Sequence, residues 1–111
     1  MAKLDDHEIS SLMLEVPDWA VITEDGMKRL QRVFKFDDFA DALDFANRIG
    51  QLAGEADHHP RLVIEWGSVG VTWWSHSEGG MVAADVEMAK RSTRFDALYD
   101  KSVPPDSAVR I

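Results

Sequence analysis

The chain has 111 residues, of which 45% are hydrophobic, and it carries a formal net charge of −8 and no cysteine. This length and composition predict one globular domain over residues 1–111, with its core at about 8–100, and exclude disulfides and cysteine chemistry. The negative charge argues against nucleic-acid binding, and the absence of a signal peptide or of a ~20-residue apolar span predicts a cytoplasmic protein that does not enter a membrane.

The first third of the chain predicts a helix followed by a β-hairpin. Apolar residues at helical spacing define the helix, and Pro17 ends it because proline disfavours the α conformation in the residue before it. Residues 19–22 and 27–36 have strand-like composition, and the Glu24-Asp25-Gly26 stretch between them is typical of a hairpin turn. The apolar stripe of the helix consists of Ile9, Leu12, Met13 and Val16.

The central segment predicts the best-defined helix of the chain. Asp37 or Asp38 can cap its first turn, because an aspartate side chain accepts hydrogen bonds from the free backbone N–H groups there. Gly54 marks the end of the pattern, just before a loop that contains the adjacent histidines His58 and His59. The buried face is predicted to be Phe39, Ala42, Leu43, Ala46, Ile49 and Ala53.

A second hairpin follows the histidine loop. Pro60 suits the first position of a strand, and residues 61–66 then alternate in polarity. Gly67-Ser68 is typical of a type II′ turn, and residues 69–75 form the predicted return strand. One face of the first strand is predicted to carry Leu62, Ile64 and Trp66.

The turn also predicts which residues lie opposite each other. With Gly67-Ser68 as the loop, Leu62 pairs with Trp73, and the same register places His59 opposite His76. The Cβ atoms of directly opposed residues are only ~5 Å apart. The hairpin therefore predicts a cluster of three histidines, with His58 as its third member.

The last helix is predicted from Val82 to Tyr99, with Asp85 in its first turn, where a carboxylate is favoured by the helix dipole. Asp85 is close enough in sequence to His76 to reach the histidines. The order helix, hairpin, helix, hairpin, helix predicts an α+β two-layer sandwich, in which a four-stranded antiparallel sheet carries three helices on one face. The other face is predicted to be open or covered by a partner subunit, and residues 101–111 to form a tail.

The residues His58-His59-Pro60, Trp66, His76 and Asp85, in this order and at these spacings, resemble the signature of the pterin-4a-carbinolamine dehydratase family. The resemblance covers the chain from about Ile9 to about Tyr99. It implies a 4a-hydroxytetrahydrobiopterin dehydratase, a carbon–oxygen hydro-lyase that converts 4a-hydroxytetrahydropterin to quinonoid dihydropterin and water. It also implies that no metal or cofactor is needed, that the pterin of an aromatic amino acid hydroxylase is recycled, and that the chain forms a homodimer or homotetramer.

The same resemblance implies roles for individual residues. His58 and His76 would be the acid–base pair, because imidazole can donate or accept a proton near neutral pH. His59 would hold the substrate and its 4a-hydroxyl group, and Asp85 would orient a histidine and favour its protonated form. The substrate pocket would be lined by Asp57, Pro60, Ser75, Ser77 and Trp19, although core packing accounts for Trp19 equally well.

Other interpretations remain open. The histidines can be purely structural, or they can bind Zn²⁺ together with Asp85, although the adjacent residues His58 and His59 would point apart in an extended chain. The chain can also be a non-catalytic dimerisation or assembly partner on the same fold, or act on another pterin, such as a molybdopterin-related compound. Retention of all three histidines favours the enzyme. Val82 stands where family members often carry threonine, which removes half of a capping box before Asp85.

Overall fold

The computed structural model describes residues 2–100, and the tail predicted at 101–111 lies outside them. The three helices are α1 (Asp6–Leu12), α2 (Phe39–Ala56) and α3 (Ala83–Asp96), and the four strands are β1 (Ala20–Glu24), β2 (Met27–Lys35), β3 (Arg61–Glu65) and β4 (Ser68–Trp73). Short 3₁₀ turns occupy Met13–Glu15, His76–Glu78 and Ala97–Tyr99. Within residues 2–100 no helix is both long enough and apolar enough to cross a membrane.

The strands form one antiparallel sheet in the order β1-β2-β4-β3. Alternate residues of the two central strands point to the same face and are buried together with the apolar residues of the helices. The predicted α+β fold, with four antiparallel strands and three helices, is therefore confirmed. The central layer of the core consists of Leu30, Phe34, Phe45, Ile49, Val69, Val71 and Trp73.

The first hairpin has the predicted turn. Glu24 pairs with Met27, so the loop is Asp25-Gly26, and both loop residues have positive φ, 53° and 74°. An Asp-Gly pair in this conformation matches the right-handed twist of the flanking strands. This turn fixes the register of β1 on β2.

The predicted register of the second hairpin is wrong by two residues. Glu65 pairs with Ser68, so the loop is Trp66-Gly67, and Leu62 pairs with Val71 rather than with Trp73. The two faces of the strand are unchanged, because side chains alternate with a period of two. Trp66 does not join Leu62 in the packed layer and is 76% exposed at the tip.

A contact that is distant in sequence explains this difference. The backbone N–H of Phe36, just past β2, donates to the carbonyl oxygen of Gly67 at 2.8 Å. A Cβ atom on Gly67 would lie 3.1 Å from the carbonyl oxygen of Phe36, so only glycine fits without displacement. Gly67 is not among the residues with positive φ, and the expected type II′ turn is therefore also wrong. Here glycine allows close approach of two backbones rather than an unusual turn.

The helix ends place the histidine loop. Asp38 caps α2 as predicted, its carboxylate accepting from the Asp41 N–H at 2.8 Å. At the other end Asp57 adopts a left-handed conformation, with φ 50° and ψ 43°, and its N–H closes the last turn. The chain then reverses, so that His58 leaves the helix in the direction of β3 and α3.

Candidate functional site

Asp85 is the centre of the candidate site. It lies in the first turn of α3, is fully buried, and accepts hydrogen bonds on both oxygens. His58 Nε2 contacts Oδ1, while the Ser75 hydroxyl (3.1 Å) and the Val82 N–H (2.9 Å) donate to Oδ2. A buried carboxylate is costly unless such donors surround it. The structure therefore brings together three residues that the sequence nominated: His58, Ser75 and Asp85.

Val82 fills the first cap position of α3 without a side-chain acceptor. Its backbone N–H nevertheless donates to Asp85, which is the carboxylate half of a capping box. The Asp85 N–H donates to the backbone carbonyl of Val82 at 3.0 Å. The departure from threonine at this position removes only the other half of the box, and the placement of Asp85 does not depend on it.

His58 is held on its edge and on its face. Its backbone N–H donates to the Ala53 carbonyl at 3.1 Å, which ties the residue to the end of α2. Its imidazole ring stacks on Trp73, with a centroid distance of 5.7 Å and an interplanar angle of 4°. Nε2 is occupied by Asp85, and Nδ1 makes no hydrogen bond within residues 2–100. Because the side chain is still 21% exposed, Nδ1 is the ring atom left for a ligand.

His59 and His76 lie in a different environment. Both are exposed, and neither imidazole has a hydrogen-bond or ion-pair partner in the part of the chain that the structure describes. Their predicted opposition is wrong, because continuing the observed register past β3 places His59 level with Trp74. Among residues 2–100 no group of three His, Cys, Asp or Glu side chains is arranged to hold a metal ion.

The loop between β4 and α3 contains His76 and leads into the first turn of α3, where Asp85 lies. Ser75 and Gly80 form an antiparallel bridge, with N–H···O distances of 2.8 and 3.2 Å, so the intervening residues are pinched into a compact loop. His76 starts the 3₁₀ turn in this loop, and Gly79 closes it with φ 76°. Met81, the residue after Gly80, accepts at its carbonyl from the Leu4 N–H at 2.8 Å. The N-terminal segment therefore braces the loop.

The remaining nominated residues are placed as follows. Asp57 and Ser77 are exposed, and Pro60 is half-buried next to the histidine loop. Trp19 is buried, with its ring edge-on to Phe34 at 5.8 Å and its Nε1 donating to the Thr93 hydroxyl at 2.8 Å. These contacts support the core-packing interpretation of Trp19. Thr93 is also about 12 Å beyond Asp85 along the axis of α3.

An ion pair on the opposite face of the sheet holds the start of β3. The guanidinium group of Arg61 donates twice to the Glu24 carboxylate, at 2.7 and 3.2 Å, reaching across the sheet from β3 to β1. The hydrogen bond from Arg61 holds the pKa of Glu24 below its usual range. Trp74 lies beneath this pair and beneath Arg29, whose guanidinium carbon is 4.0 Å from the ring centroid. The strand that follows His59 and Pro60 is thereby fixed at its first residue.

Two residues of the site were missed by sequence reasoning. Trp73 was predicted only as a core residue, and nothing in the pattern indicated that its face would meet His58. Ser92 on α3 accepts from Trp73 Nε1 at 3.2 Å. Its position, seven residues after Asp85 and therefore on the same helix face, was the available signal.

Comparisons with known proteins agree with one another. The family model described as pterin 4 alpha carbinolamine dehydratase matches residues 2–95. A relative from Chlorobium limicola is 56% identical over 85 residues, covering 77% of this chain and 75% of that protein. A relative from Nitrosococcus oceani is 51% identical over 93 residues, covering 84% of this chain and 82% of that protein. Both carry the provisional name pterin-4-alpha-carbinolamine dehydratase.

Two solved structures resemble the fold. A protein from Brucella melitensis, described as a transcriptional coactivator/pterin dehydratase, has a TM-score of 0.78 and 30% identity, covering 85% of this chain and 98% of that one. A pterin dehydratase-like protein, described as a RuBisCO assembly factor in the alpha-carboxysome, has a TM-score of 0.60 and 20% identity, covering 71% and 89%. The second likeness concerns the fold alone.

Proposed function

Because this chain belongs to the pterin-4a-carbinolamine dehydratase family, we propose that it converts a 4a-hydroxytetrahydropterin to the quinonoid dihydropterin and water. One observation carries the proposal beyond family membership. The buried Asp85 engages one nitrogen of His58 and leaves the other nitrogen available at a partly exposed edge. An imidazole held in this way is suited to proton transfer.

The reaction needs one acid and one base. The C4a–O bond breaks as the N5 lone pair forms a C4a=N5 double bond. The hydroxyl group leaves as water after it receives a proton, and N5 gives up its own proton. Positioned proton transfer typically contributes ~10²–10⁴-fold to such a step. An imidazole can give a proton to the leaving hydroxyl, and a second imidazole can take the proton from N5. The histidines of this chain can therefore supply both proton transfers.

We assign the base role to His58. With Nε2–H donating to Asp85, the neutral ring has its lone pair on Nδ1 and can take the N5 proton there. The carboxylate then stabilises the imidazolium ion that forms. His76, exposed on its 3₁₀ turn, is assigned as the acid that protonates the leaving hydroxyl, and His59 as the residue that holds the substrate. Asp57, Pro60, Ser75 and Ser77 line the proposed pocket.

The test is a stopped assay with freshly generated 4a-carbinolamine in the presence of a chelator. We expect the protein to accelerate dehydration well above the spontaneous rate without added metal or cofactor. No acceleration at micromolar protein would refute the proposal. A preparation inhibited by the chelator would instead favour the metal-binding interpretation of the histidines.

We also propose that the chain forms at least a homodimer. β3 is an edge strand, and its residues Val63 and Ile64 are exposed. Phe39 and Leu43 are exposed apolar residues on α2, the helix that packs against β3. An unpaired edge beside apolar side chains favours association with a second chain. Sedimentation equilibrium at micromolar concentration tests this, and a mass near 12.5 kDa would contradict it.

The physiological role is a separate part of the proposal. Recycling of the pterin cofactor of an aromatic amino acid hydroxylase, in the cytoplasm, is the role that the reaction suits. The alternative is a protein-binding role, which the coactivator description of the Brucella melitensis protein favours. A variant with both His58→Ala and His76→Ala separates the two: a phenotype that survives this double substitution points to protein binding.

A further inference from the structure

Trp73 is fixed by a chain of buried hydrogen bonds that reaches α3. Its Nε1–H donates to the Ser92 hydroxyl oxygen at 3.2 Å, and the Ser92 hydroxyl donates to the Met88 carbonyl at 2.8 Å. Trp73 and Ser92 are both fully buried. Indole nitrogen is only a donor, so a buried tryptophan ring is oriented by whichever acceptor it finds. Ser92 therefore determines how the Trp73 ring lies.

Asp85, which lies in the first turn of the same helix, contacts His58 directly. Asp85 and Ser92 are seven residues apart on α3, two turns of one face. Asp85 binds the edge of the His58 ring, and Ser92 acts on the face of that ring through Trp73. The contact at Nε2 alone would leave the plane of the imidazole ring free to change its tilt. The parallel stack at 4° removes this freedom.

We propose that Ser92 and Trp73 are positioning residues for His58, which together hold its ring plane so that Nδ1 points toward the substrate. This proposal rests on the proposed function of the site. Neither residue touches the reacting atoms. Their effect is to keep Nδ1 within reach of one proton, and small misplacements of a catalytic group lower turnover by an order of magnitude or more.

The chain offers a matched control. Trp19 Nε1 donates to Thr93, and the Thr93 hydroxyl donates to the Ala89 carbonyl at 2.9 Å. This arrangement repeats that of Trp73 and Ser92 one residue along α3, but Trp19 packs on Phe34 rather than on a histidine. Thr93→Ala removes an equivalent hydrogen bond without touching the His58 ring.

The experiment compares Ser92→Ala, Trp73→Phe, the double variant and Thr93→Ala. We expect Ser92→Ala to lower kcat about 10-fold with KM unchanged. The double variant should be no slower than Trp73→Phe alone, because Ser92 acts through the indole N–H. The second readout is the proton NMR signal of the His58 ring, assigned with His58→Ala, because the Trp73 ring current shifts it in the wild type. Ser92→Ala should move this signal, and Thr93→Ala should leave both the signal and kcat unchanged.

The proposal is overturned if Ser92→Ala lowers the free energy of unfolding as Thr93→Ala does while kcat and the His58 signal stay at wild-type values. Additive losses in the double variant would also overturn it. If Ser92→Ala does not fold, Ser92→Cys, which is somewhat larger and whose sulfur accepts only weakly, replaces it with the same expected results. If the wild-type protein shows no dehydratase activity, the proposed function fails, and the NMR comparison alone decides the positioning role.

Discussion

His58 and His76 are proposed to do complementary halves of one reaction, yet the structure treats them in opposite ways. His58 is attached to a buried carboxylate and stacked on a buried indole. His76 begins an exposed 3₁₀ turn and has no side-chain partner within residues 2–100. The core of the monomer therefore positions one proton-transfer group in advance, while the other depends on its loop and on whatever binds there.

The largest effects should come from removing either histidine. We expect His58→Ala and His76→Ala each to lower kcat by about 10²–10⁴-fold, because each removes one proton-transfer group. The two variants should differ in stability. His58→Ala takes a donor from buried Asp85 and should lower the free energy of unfolding by about 1–3 kcal/mol, whereas His76→Ala should change it by less than about 0.5 kcal/mol. Steady-state kinetics and urea unfolding measure both, and equal stability losses would contradict the contrast.

A smaller but more specific loss is expected from Asp85→Asn. The new amide can donate to Nε2 of His58, which would move the ring proton to Nδ1 and remove the lone pair that the base role requires. We expect kcat to fall on the order of 10²-fold with little change in KM. Nitrogen NMR of the imidazole should show the tautomer change. Wild-type kcat in a variant whose tautomer has changed would exclude His58 as the base.

His59→Ala should have a modest effect of a different kind. His59 is exposed and is assigned to substrate holding, so we expect KM to rise about 10-fold while kcat changes by less than about threefold. Circular dichroism should be unchanged. If kcat falls and KM is unchanged, His59 rather than His76 is the acid, and the two role assignments are wrong.

The smallest effect concerns the phenol of Tyr99, which takes no part in the proposed site of His58 and His76. Burial, followed by its hydrogen bond to Asp44, raises the pKa of Tyr99 to about 12. Because the folded state favours the neutral phenol, this contribution to stability is complete below the ordinary pKa of about 10 and is lost as the pH rises toward 12. Tyr99 is the only tyrosine, so its phenolate absorbance reports the titration directly. Ionisation near pH 10 in the folded protein would contradict the packing of this residue.

Much of this arrangement followed from local sequence rules. Turn chemistry located the first hairpin, an aspartate cap located α2, and the position of Asp85 in the first turn of α3 brought it near a histidine, as predicted. The His58–Asp85 contact was therefore within reach of sequence reasoning, although which histidine it would engage was not.

The misses share one physical cause, which is a contact between segments distant in sequence. The position of Gly67 is determined by its backbone contact with Phe36. That contact, and not the local turn preference, sets the register of the second hairpin. Trp73 meets His58 because β4 runs beneath the end of α2. Period-two alternation survived both misses, since a shift of two residues keeps every side chain on its own face.

The sequence separation of the contacts around His58 has a consequence for folding. His58 and Asp85 are 27 residues apart, and Trp73 and Ser92 are 19 apart, with Asp85 and Ser92 both on α3, the last helix. Pairing of the strands alone cannot assemble these contacts, so the site exists only after α3 has docked. In a refolding experiment, sheet formation followed by circular dichroism and recovery of dehydratase activity should therefore be separable events. The delay between them would measure the docking of a single helix.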